Sequence, residues 1–214
     1  MNRYILFFLI PFFISCTKQS FQVGDIFFQD LDCGPPCEAI EAVTSGYQGA
    51  QLSHCAIITY VGSSEHDTIL TEAIGEEVTE TTLSDFLNRN NKVFVGRLKD
   101  EYQYMIPDAI AHIQNNLTGK PYDYIFDITD DTYYCSEIIY EGLKVADDTQ
   151  DLFALNPMTF NEPGTNTPFI HWVDYYEDLG SPIPEGELGL NPGGMSQSKA
   201  IDIVYVYEKP TGMQ

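Results

Sequence analysis

Between residues 23 and 98 this sequence carries four short runs of β-branched and apolar residues, Val23 to Gln29, His54 to Val61, Thr68 to Ala73 and Lys92 to Leu98, each bounded by turn-forming residues. Each reads as a strand. Helical spacing enters at Pro35 to Thr44, where proline stands in the first turn, and again where Thr82-Leu83-Ser84-Asp85 resembles a capping box opening a short helix to about Asn88. Ile106, Ala109, Ile110, Ile113 and Leu117 then recur at spacings of three and four, which predicts a helix over 106–117 ended by Gly119. Cys135 begins a further helix, with Ile138, Ile139 and Leu143 as its apolar face and its end before Asp147. Residues 148–198 are loop-like and hold Pro157, Pro163, Pro168, Pro182, Pro184 and Pro192, with one short helix expected around Trp172 to Leu179. A last strand is expected from Ile201 to Tyr207. No repeat or linker divides the chain, so the fold class is one α+β domain, a mostly antiparallel sheet with helices packed on it.

The fold begins after a targeting segment. Arg3 is followed by an almost unbroken apolar run, Tyr4 to Ile14, which is too short to span a bilayer and has the layout of a signal peptide over residues 1–15. Ser15-Cys16 resembles the end of a bacterial lipobox, although Phe13 stands where leucine is usual. Lipidation of Cys16 is therefore expected, with residues 16–214 as the mature domain held at the cell envelope by its acyl chains, facing periplasm or exterior. The formal net charge of the whole chain is −22, and it grows more negative when Arg3 is removed. So acidic a surface repels nucleic acid, and no nucleic-acid partner is expected. It could favour substrates that bear free amines, or serve solubility alone. With Cys16 assigned to lipid, Cys33 and Cys37 could close a small disulfide loop in an oxidising compartment, or remain free thiols. No second pair of ligands supports a metal site, and no cofactor is expected.

Cys135 is the one cysteine expected at the start of a buried helix. There the unpaired N–H groups and the dipole stabilise a thiolate, and an imidazolium nearby would stabilise it further. Four histidines could supply that base. His66 lies in a polar turn, His112 falls off the apolar stripe of its helix, and His171 precedes Trp172 in the loop-rich region. His54 opens a strand, where a sheet presents side chains to a cleft. A base imidazole needs a third group to fix its tautomer. Glu72 sits in an otherwise apolar strand, Thr68 to Ala73, and in an antiparallel hairpin it comes level with His54. Cys55, next to His54, should point to the opposite side of the strand and be structural.

Taken in order, Gly24-Asp25-Ile26-Phe27-Phe28, Ser53-His54-Cys55-Ala56-Ile57, Thr71-Glu72-Ala73, Gly119-Lys120-Pro121-Tyr122-Asp123 and Tyr134-Cys135-Ser136-Glu137 resemble the YaeF/YiiX-like permuted papain-like amidases, circularly permuted relatives of the NlpC-type cell-wall peptidases. Trp172, Ile183-Pro184-Glu185-Gly186 and Asn191-Pro192-Gly193-Gly194 look like that family's tail. The resemblance implies a permuted papain-like fold, which accounts for the order His, Glu, Cys. It also implies Cys135 as nucleophile, His54 as base, Glu72 as orienting residue and an acyl-enzyme intermediate. Pro121-Tyr122 looks like the Pro-Tyr of NlpC-type enzymes, which makes Tyr122 the candidate to assist an oxyanion hole beside the Cys135 backbone N–H. The expected substrate is a peptide or amide, with murein peptides first. Lipid esters or amides, as in lecithin:retinol acyltransferase-like enzymes, are the alternative, and a non-catalytic binding module is a third reading.

Overall fold

The structure, a computed structural model, describes residues 20–149 and 151–214. The signal segment and Cys16 lie outside the described residues. Elements follow in the order β1 (Ile26–Gln29), α1 (Pro35–Val43), β2 (His54–Tyr60), β3 (Ile69–Ile74), β4 (Glu77–Thr82), α2 (Leu83–Arg89), β5 (Val93–Leu98), α3 (Ile106–His112), α4 (Cys135–Ala146), β6 (Asn156–Pro157), α5 (Ile170–Leu179), β7 (Leu188–Gly189), α6 (Pro192–Ser196) and β8 (Ile201–Glu208). Six strands form one sheet in the order β4-β3-β2-β1-β5-β8. Every pairing in it is antiparallel.

Alternation along the strands sends side chains to two faces. Ile26, Phe28, Cys55, Ile57 and Phe94 pack on one side with Ile110 of α3 and Ile138, Ile139 and Leu143 of α4. Phe27, Ala56, Ile58, Leu70, Val93 and Val95 pack on the other with Leu83 and Phe86 of α2. Both faces are therefore buried under helices, and an α+β domain results. α4 lies close against α3 because Gly142 has no side chain: a Cβ there would stand 2.8 Å from Ile113. The α2 helix starts as the capping pattern predicts, with Thr82 Oγ1 accepting the Asp85 N–H.

Three local expectations needed revision. The run predicted as one helix over 106–117 is α-helical only to His112, and Ile113–Leu117 continues as a π turn. β4 was not anticipated: Glu77–Thr82 is a mostly polar edge strand, joined to β3 across the positive-φ Gly75. The segment 148–198 carries a two-strand ladder, β6 with β7, and the short α6 in addition to α5. Of the two states left open for Cys33 and Cys37, the disulfide is the one present. No helix among the described residues is long and apolar enough to cross a membrane.

Candidate active site

Cys135 is the first residue of α4, so its N–H belongs to the turn whose amides have no partner within the helix. The start of this helix is fixed from several sides. The Tyr134 N–H donates to Glu137 Oε2, Ser136 Oγ donates to the Leu190 carbonyl, and the Leu190 N–H donates to the Tyr134 hydroxyl. Burial raises the Glu137 carboxyl to about 9, more than its hydrogen bond from Tyr134 lowers it, so this side chain is neutral at pH 7. It therefore adds no negative charge beside the thiol.

His54 is 3 % exposed and Glu72 is fully buried. The register Ile57↔Thr71 brings Glu72 toward the start of β2, and His54 Nε2 lies 2.6 Å from Glu72 Oε2. That contact uses Nε2, which leaves Nδ1 for the thiol. Burial by itself would lower the imidazole's proton affinity, but the interactions with Cys135 and Glu72 outweigh it and raise His54 to about 9. Burial would likewise raise Glu72; hydrogen bonding and charge from His54 and Arg89 overcome this and hold the carboxyl at about 2. The Cys135 thiol is pulled well below its ordinary value by hydrogen bonding from Cys55 and by His54, against the opposing effect of burial. Both shifts push the pair toward thiolate and imidazolium.

Two of these contributors were not anticipated in these roles. Cys55 does lie on the opposite face of β2 from its neighbour, in the cluster that contains Cys135, but it meets the Cys135 sulfur there and is more than a structural residue. Its own thiol is raised by burial first and then by Cys135, so it stays protonated as a donor. Arg89, at the end of α2, donates to both oxygens of Glu72, at 2.8 and 2.6 Å. Tyr122 borders the same cavity as Cys135, and burial keeps its phenol protonated, hence a donor. His171 lies on α5 beside Trp172, with ring centroids 5.2 Å apart, and takes no part in this group.

Cys135 opens onto a cavity of about 650 Å³. Ile40 and Val43 of α1, Phe153, Phe160 and Trp172 line much of it, and Asp151 and Lys199 are its charged side chains. Phe126, in the left-handed region at φ 58°, packs edge-on against Tyr134 and Trp172. Its conformation is held by Asp123, whose Oδ1 accepts from the Ile125 and Phe126 N–H groups. No group of three or more His, Cys, Asp or Glu among the described residues is placed to hold a metal ion.

The family model described as permuted papain-like amidase enzyme, YaeF/YiiX, C92 family, matches residues 20–205. The chain belongs to that family. It is accordingly a cysteine hydrolase of amidase type, and the antiparallel sheet with its packed helices is the permuted papain-like fold. Among solved structures, the metalloprotein YiiX of Escherichia coli O157:H7 is similar in fold, with a TM-score of 0.66 and 22 % identity over 88 % of this chain and 98 % of that one. No curated protein matches the sequence.

Proposed function

We propose that this permuted papain-like amidase is a lipid-anchored envelope enzyme that uses Cys135, His54 and Glu72 to cleave an amide whose acyl part is a long apolar chain. The cavity beside Cys135 carries this choice of substrate. Its volume, about 650 Å³, falls among small-molecule sites, and its walls are largely aliphatic and aromatic. In the reaction, the Cys135 thiolate attacks the amide carbonyl, and the Cys135 N–H and the Tyr122 hydroxyl stand ready for the oxyanion. His54 gives its Nδ1 proton to the leaving amine as the C–N bond breaks. It then takes a proton from the water that releases the acid from the thioester. Glu72 keeps the ring oriented through both steps. The signal-like residues 1–15 and Cys16 support the envelope location.

A murein peptide is the second reading. The chain's −22 charge and Asp151 on the cavity wall would suit a free amine. The two are separated by offering purified protein a series of N-acyl amides of rising chain length alongside murein fragments. On the acyl reading kcat/KM climbs about fourfold per methylene until the cavity is filled, since each buried CH₂ contributes about 0.8 kcal/mol. A flat series together with peptide release from murein would replace it with the second reading, and Cys135→Ala must be silent in either case.

A further inference from the structure

The Cys135, His54 and Glu72 group ends in a cation, Arg89, that takes no direct part in bond making or breaking. Arg89 spans both oxygens of Glu72 while His54 holds one of them, so the carboxylate is fixed from two directions. The arrangement is built, not incidental. Phe86 and Arg89 lie three residues apart on α2, hence on one face of it. The Arg89 guanidinium sits 5.1 Å from the Phe86 ring centroid, and the His54 ring stacks on the same phenyl at 5.9 Å. The end of α2 is tied in turn to the strand beside His54. Gln29, the β1 residue paired with His54, donates its amide to the carbonyls of Phe86 and Asn90.

We propose that Arg89 is a positioning residue of this hydrolase: by clamping both oxygens of Glu72 it keeps that carboxylate ionised and the shared proton on His54 Nε2. Without Arg89 the buried carboxylate would have only His54 to oppose its desolvation, and its proton affinity would rise, because burial disfavours its charged form. The Glu72–His54 pair would then hold its proton more tightly, and the Cys135 thiolate would lose part of the positive field that stabilises it. The inference rests on the assignment of Cys135 and His54 as the reacting pair. It does not depend on which amide is cleaved.

The charged and titratable groups around His54 are Glu72 from β3 and Cys135 from α4, with Cys55 from β2 against Cys135 and Arg89 from α2 behind Glu72. Removing a positive charge from this set favours protonation of every remaining member. The test is the rate at which iodoacetamide alkylates Cys135 as a function of pH, read by intact mass, in wild type, Arg89→Met and Arg89→Lys. In Arg89→Met both limbs of the profile should move to higher pH by about one unit, with roughly tenfold slower alkylation on the acid side. Arg89→Lys retains the charge on a shorter side chain without the planar head that lies against Phe86, so its limbs should stay in place while the plateau falls a few-fold. A purely structural role predicts slower alkylation in both variants with unmoved limbs, and that result overturns the proposal. A wild-type thiol that reacts only in the ordinary cysteine range overturns the catalytic assignment as well. Should Arg89→Met not fold, ¹⁵N shifts of the His54 ring in wild type decide the matter: a protonated Nε2 at neutral pH is expected, and a bare Nε2 refutes the clamp.

Discussion

Glu72→Gln isolates the charge on which the site depends while nearly preserving its shape. The imidazole of His54 stands at about 9 against an ordinary value of 6.5. That gap corresponds to about 3 kcal/mol, at roughly 1.4 kcal/mol per pH unit, and it survives a burial that pushes the other way. Cys135 and Glu72 provide it together. The glutamine removes one anion and leaves Arg89, now an unopposed cation near the ring. The alkaline limb of kcat/KM should therefore fall by about two pH units, to the ordinary imidazole range or below. The acid limb should rise, because Cys135 loses its imidazolium. At pH 8, about one unit below the original limb and about one unit above the shifted one, the imidazolium-bearing population then drops about tenfold. Profiles of kcat/KM and of iodoacetamide alkylation, with thermal melts to confirm folding, measure this. Stability follows the same linkage with opposite limits. The contribution of His54, whose folded value is raised, is full below 6.5 and lost as pH rises through about 9; that of Glu72, whose folded value is lowered, is full above 4.5 and lost as pH falls through about 2. Together they are greatest between 4.5 and 6.5. An alkaline limb that stays in place, or a rate loss under about threefold at pH 8, would refute Glu72 as the orienting charge.

Two further perturbations probe the surroundings of Cys135. Glu137 is protonated in the folded protein up to about 9 but ionises above 4.5 when unfolded, so the wild type should lose stability relative to Glu137→Gln as pH rises between those values. The relative slope is at most about 1.4 kcal/mol per pH unit, and parallel melting curves would show that Glu137 is ionised in the fold. Cys55→Ala removes a hydrogen bond that stabilises the thiolate, and the acid limb of Cys135 alkylation should move to higher pH. Cys55→Ser restores a donor and should return it; an unmoved limb in the alanine variant would mean that Cys55 does not reach the sulfur.

Much of this arrangement is legible in the sequence because it follows from local periodicity. Cys135 announces itself as the first residue of a helix, and a hairpin joining the strands at 54–61 and 68–73 brings Glu72 toward His54 without any knowledge of the rest. The actual ladder, Ile57↔Thr71 and Ile58↔Leu70 with an irregularity before Tyr60, gives the same neighbourhood. Alternation also sends Cys55 to the opposite face. Its contact with Cys135 is hidden in the sequence because it arises only when α4 packs on β2, a long-range event that no local pattern encodes. Arg89 is hidden for a related reason. An arginine in the last turn of a short helix reads as a solvated charge complementing the helix dipole, and only the packing of α2 over β3 turns it toward Glu72. β4 escapes because Glu77-Val78-Thr79-Glu80-Thr81-Thr82 has one apolar residue, and the partner that covers its outer edge at Val78, the segment 119–122, comes from far along the chain. The cavity draws walls from residues 151–200, where prolines and short elements leave no period to read.

The central claim is that Cys135 forms a thioester with an apolar acyl group. Incubating the protein with the p-nitrophenyl ester of a long-chain fatty acid, quenching in acid and mapping peptides by mass spectrometry tests it directly. The expected result is an acyl mass on the peptide containing Cys135, its loss on hydroxylamine treatment, its absence in Cys135→Ala, and slow accumulation in His54→Ala. Acylation that is absent, or that falls on another residue and persists in Cys135→Ala, would contradict it.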